Sequence, residues 1–121
     1  MTTKVEIAGD KLVLTVTGID VLLSLRKHME MPLSAVTSVE KGVSKDAQDK
    51  LGDSFRVGAY LPGVATGGYF YEHGKWMFWN IHKGAKAITI GLTHDKYEYL
   101  VVEVEDPDAA LATIRAALPQ K

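Results

Sequence analysis

The amino-acid sequence predicts a mainly β fold, a strongly bent antiparallel sheet of about seven short strands whose open end is covered by one C-terminal α-helix. Three observations carry that prediction. Val5 and Ile7, then Leu12, Leu14 and Val16, alternate with other residues on either side of Gly9-Asp10, the pattern of a hairpin with one buried face. His73-Gly74 separates two aromatic segments, and its glycine suits the positive φ of a tight hairpin turn. Asp106-Pro107-Asp108 opens a stretch in which Ala110, Leu111, Ile114, Ala117 and Leu118 recur at helical spacing.

Between the first hairpin and the aromatic one the period changes several times. Residues 17–25 read as a short helix, because Thr17 and Asp20 have capping-box spacing and Ile19, Leu22 and Leu23 share a helical face. The basic run Arg26-Lys27-His28 then falls at a helix C-terminus, where cations meet the negative end of the dipole. Met29 and Met31 alternate up to Pro32, predicting a third strand that ends where no ladder donor exists. Leu33, Val36 and Val39 recur every third residue, which predicts a tight turn leading into a strand over 37–41. Residues 44–51 begin with Ser44, an N-cap type, and end before Gly52, predicting a surface helix of two turns. Gly58, Pro62, Gly63, Gly67 and Gly68 predict bends or bulges in a curved sheet. Beyond them, segments 68–72, 75–81, 85–92 and 97–105 read as a four-strand meander.

Composition bounds the rest. A chain of 121 residues fits one domain spanning 1–121 and can bury enough surface to fold without staples. Hydrophobic residues at 46% and charged residues at 24% match an ordinary globular chain. Apolar runs such as Leu100-Val101-Val102 fall far short of the roughly 20 residues a membrane helix needs. The N-terminus lacks the basic start and apolar stretch of a secretory signal, so the expected location is cytoplasmic. A net charge of −1 gives no field for gathering phosphates, which argues against nucleic acid. The absence of cysteine removes disulfides, thiolate metal sites and a cysteine nucleophile.

The order of elements resembles the pleckstrin-homology-like superfold, and in detail a bacterial stand-alone group within it. The residues carrying the likeness are Leu33-Ser34-Ala35-Val36-Thr37-Ser38-Val39, Tyr60-Leu61-Pro62-Gly63, Gly67-Gly68-Tyr69-Phe70, Met77-Phe78-Trp79-Asn80-Ile81, and the stretch from Tyr97 to Pro107. The resemblance implies a bent seven-strand barrel plugged by a C-terminal helix, and a binding or scaffolding module, not an enzyme. Phosphoinositide-binding members carry basic residues on the first hairpin. Here that hairpin offers only Lys4 and Lys11 beside the acidic Asp10, so anionic lipid is the weaker expectation.

Chemistry leaves little trace. His28, His73, His82 and His94 fall on four separate segments without metal-ligand spacing, no serine sits in a nucleophile elbow, and no cofactor is implied. The glycine-rich stretch 63–68 lacks the Lys-Ser/Thr ending of a phosphate loop. The aromatic hairpin is the strongest candidate. If Phe70, Met77 and Trp79 are core, Tyr69, Tyr71, Trp76 and Phe78 form an outward patch suited to a protein partner or a homodimer. The alternative is a barrel enclosing a small apolar ligand, or hosting an unrecognised reaction, with His82, Arg56 or Tyr60 as its polar group.

Overall fold

The computed structural model describes residues 3–16, 28–52, 55–61, 65–72, 74–81, 86–93 and 96–118. The helix expected over 17–25 and the basic pair Arg26-Lys27 lie outside them.

The alternating N-terminal segments form β1 (Thr3–Ala8) and β2 (Lys11–Val16), with Ala8 opposite Lys11 and Gly9 at φ 65° in the turn between them. β3 (His28–Pro32) completes a three-stranded antiparallel sheet. Its inner face carries Leu12, Leu14, Met29 and Met31, all buried. The two-residue turn makes Ala8 and Lys11 a hydrogen-bonded closing pair, so Lys11 turns its main-chain groups away from β3. Pro32, which has no donor to give, is the residue opposite it.

At Pro32 the chain changes sheets through a 3-10 turn (Leu33–Ala35), which the Leu33 amide anchors by donating to the Asp10 carbonyl at 2.9 Å. β4 (Val36–Lys41) then begins a six-stranded sheet with β5 (Phe55–Leu61), β6 (Ala65–Glu72), β7 (Lys75–Ile81), β8 (Ala87–Leu92) and β9 (Tyr97–Glu103). The spatial order is β4-β8-β9-β7-β6-β5, with β7 and β9 parallel and the other neighbours antiparallel.

This order corrects the expected meander. β9 enters between β7 and β8, so those two consecutive strands are not neighbours. The cause is burial: Ile88, Ile90, Leu100, Val101 and Val102 are all fully buried, and an unbroken apolar run needs cover on both faces and a ladder on both sides. Of the positions expected to bend or bulge, Pro62 and Gly63 lie outside the described residues. β5 and β6 pair without a register shift through Gly58 opposite Gly68, whereas shifts occur between Val36 and Ser38 and between Trp76 and Met77. Among the described residues nine strands form two separate sheets, and no ladder joins them into a barrel.

Two helices cover what the sheets leave open. α1 (Lys45–Gly52) lies over the second face of the larger sheet, where Ala47 packs with Phe70, Met77, Trp79 and Val101. Ser44 caps it, its Oγ accepting from the Ala47 amide at 3.0 Å. Buried Thr89 holds the approach to the helix: its hydroxyl donates to the Gly42 carbonyl at 2.8 Å and accepts from the Ser44 amide at 3.0 Å. From the sheet, Tyr99 donates its phenol proton to Asp46; burial, and then this acidic partner, push the Tyr99 pKa upward, so the donor keeps its proton.

α2 (Pro107–Ala117) starts as its sequence predicts: Asp106 Oδ1 accepts from the Ala109 amide at 3.1 Å, and Pro107 occupies the first turn. Leu111 and Ile114 enter the main core with residues of both sheets, while α2 packs against β1, β4 and β8. Arg115 reaches the outer edge of β4 and donates to the Val39 carbonyl at 3.0 Å. No described helix is long and apolar enough to cross a membrane.

Candidate functional site

Alternation correctly groups Tyr69, Tyr71, Trp76 and Phe78, since Tyr69 lies opposite Phe78 and Tyr71 opposite Trp76. That face, however, turns toward the main core. Phe78 is fully buried among Leu12, Leu14, Ile88 and Leu100, so it does not belong to an outward patch. Tyr69 is half-buried, its ring 5.4 Å from Phe78 and 6.3 Å from Tyr97. Trp76 is also half-buried against the core and meets Tyr71 edge-on at 5.0 Å. Tyr71 alone of the four counts as exposed, at 39%. Phe70, Met77 and Trp79 are buried beneath α1 on the opposite face, so β7 is covered on both sides.

Of the polar groups assigned to an enclosed ligand, His82 lies outside the described residues, and Arg56 and Tyr60 belong to β5 at the margin of the larger sheet. Among the described residues no cluster of His, Asp and Glu is arranged to hold a metal ion.

One open feature among the described residues is the outer edge of β1. Because Ala8 and Lys11 close the hairpin as a hydrogen-bonded pair, Ala8, Glu6 and Lys4 exchange main-chain bonds with β2. The amides and carbonyls of Thr3, Val5 and Ile7 therefore point outward, and among the described residues none hydrogen-bonds to them. Alongside runs a groove of about 390 Å³ between Thr3, Lys4 and Val5 on the strand, Val104 to Asp106 after β9, and Ala109, Ala110 and Thr113 on α2. Its depth comes from small helix side chains, and its apolar lining from Val5, buried Val104 and half-buried Ala110.

Thr3 anchors the start of the strand. Its buried hydroxyl accepts from Asn80 Nδ2 at 3.2 Å, tying the smaller sheet to β7 of the larger one. Along the solvent face Lys4 and Glu6 lie 3.9 Å apart. Across the same face, Glu30 takes a 2.9 Å contact from His28 and a 3.8 Å contact from Lys11. The His28 hydrogen bond, and then the Lys11 charge, hold the Glu30 carboxyl below its ordinary value of 4.5. A depressed carboxylate contributes stability that is present above its unfolded pKa and lost as pH falls through the folded one. In an NMR titration, His28→Ala is expected to move the Glu30 midpoint back up toward 4.5; an unchanged midpoint would disprove the pairing.

Sequence reasoning uses Val5 and Ile7 as periodicity markers and misses the strand as a site, because being an edge depends on which strands pair. The two-residue turn does carry the phase of the outward groups. No family model, curated protein or solved structure matches the chain.

Proposed function

We propose that this chain is a non-enzymatic protein-association module that engages its partner by strand addition at β1. The observation that carries the reading is a strand edge with no ladder partner among the described residues, lying beside a groove of mixed apolar and polar lining: main-chain groups supply affinity, and a pocket for alternate side chains supplies selectivity. Exposed edges are usually blunted by charged side chains, proline, bulges or covering elements, and of these β1 carries the charges of Lys4 and Glu6. β1 has no proline and pairs with β2 without a bulge, whereas the edge of β4 is contacted by Arg115. The kinship with pleckstrin-homology-like modules is part of the proposal. The C-terminal helix that plugs the space between the sheets supports it, and the parallel β7–β9 pairing departs from it.

A photoreactive residue placed at Lys4 tests the reading in the native cell. The expected result is a discrete protein adduct at that position, lost when Val5 is replaced by proline and retained in Tyr71→Ala. Adducts obtained only with the photoreactive group at Tyr71 would overturn it.

A further inference from the structure

The β1 edge is self-complementary, and we infer that its partner is a second copy of this chain, paired antiparallel about Val5. The inference rests on the strand-addition reading above and adds to it the identity and register of the partner.

Register follows from three constraints. Residues directly opposite one another in a ladder project to the same face, so only registers that set even-numbered residues opposite even-numbered ones keep Lys4 and Glu6 in solvent and Val5 and Ile7 inside. Among those, a twofold axis at Lys4 sets two lysines face to face, and an axis at Glu6 sets two glutamates face to face. An axis at Val5 places Lys4 of each copy opposite Glu6 of the other, and like charges directly opposite are unfavourable where opposite charges attract. The hydrogen-bond phase agrees independently. The outward groups belong to Thr3, Val5 and Ile7, and the Val5 axis sets Val5 against Val5 and Thr3 against Ile7, pairing all of them.

The groove fits the same arrangement. Opposite Thr3, Ile7 of the second copy arrives on the inner side of the strand, where Val104 and Ala110 form the apolar part of a groove that Glu105 and Asp106 also line. Ile7 is only partly buried in the single chain, so pairing covers apolar surface on both copies. The exposed flank of α2 beside the groove consists of Ala109 and Thr113, short enough for the two copies to approach. The result is one continuous sheet in the order β3-β2-β1-β1-β2-β3, a closed twofold assembly.

Sedimentation equilibrium of the full chain over a concentration series tests this directly. A reversible monomer–dimer equilibrium is expected. Lys4→Glu or Glu6→Lys alone should raise the dissociation constant about tenfold, and the double charge swap should restore it, because opposite charges then face one another across the axis again. Raising the salt concentration should weaken the wild-type dimer and leave its fold intact. Amide exchange supplies a second readout: with increasing protein concentration Thr3, Val5 and Ile7 should gain protection, while Lys4 and Glu6, already bonded to β2, should not change. A monomer at every concentration, or a dimer indifferent to both single reversals, overturns the inference. An adduct of another mass from the photoreactive residue at Lys4 would then leave the strand-addition reading standing, whereas no adduct there would remove both.

Discussion

Phe78→Ala is expected to lower the free energy of unfolding by about 3–5 kcal/mol, read from urea denaturation by tryptophan fluorescence. The ring is fully buried where the two sheets and α2 converge, so truncation both removes transfer free energy and leaves a cavity walled by β strands that cannot collapse into it. A loss of that size is a large fraction of a small domain's stability. Tyr71→Ala, at the exposed end of the same face, should cost only about 1 kcal/mol, chiefly its edge contact with Trp76. If the two variants proved equally stable, the aromatic face would not be core.

Thr89→Val should cost about 1–3 kcal/mol. Valine keeps the shape of the buried side chain but strands the Ser44 amide and the Gly42 carbonyl, which the hydroxyl holds from β8. The loss should be local as well as global. Amide exchange should quicken at Ser44 and through the first turn of α1, whose cap depends on Ser44 holding its position. Unchanged exchange at Ser44 would show that α1 is kept in place by Ala47 and the Tyr99–Asp46 bond alone.

Local chemistry makes much of the fold legible in the sequence. Asp106 and Pro107 start a helix as their residue types require, Gly9 and Gly74 turn with positive φ, and Pro32 ends a strand. What cannot be read locally is pairing. Leu100-Val101-Val102 advertises burial on both faces, but an apolar run says that a strand is central without saying between which neighbours. Among the described residues the expected barrel does not close, for the same reason, since closure depends on edges meeting across long sequence separations. The aromatic set shows a related limit. Alternation groups the four residues correctly and leaves the face undecided, because both faces of β7 are apolar. The β1 edge is hidden in plain residues: Lys4 and Glu6 look like ordinary surface charges until the strand that carries them is seen to have, among the described residues, a ladder neighbour on one side only.

The position of β9 makes the order of synthesis disagree with the order in space. Until residues 97–103 emerge from the ribosome, β7 and β8 have no shared partner, and the larger sheet can exist only as the β5-β6-β7 and β4-β8 fragments. The strand that joins them is also the last of the nine to be made, and α2 follows it directly. Assembly of that sheet is therefore a late event bridging distant segments, and loop closure makes such long-range pairing slow. A nascent chain stalled before Tyr97 would hold two incomplete sheets with unpaired apolar edges, the kind of state that is prone to aggregation.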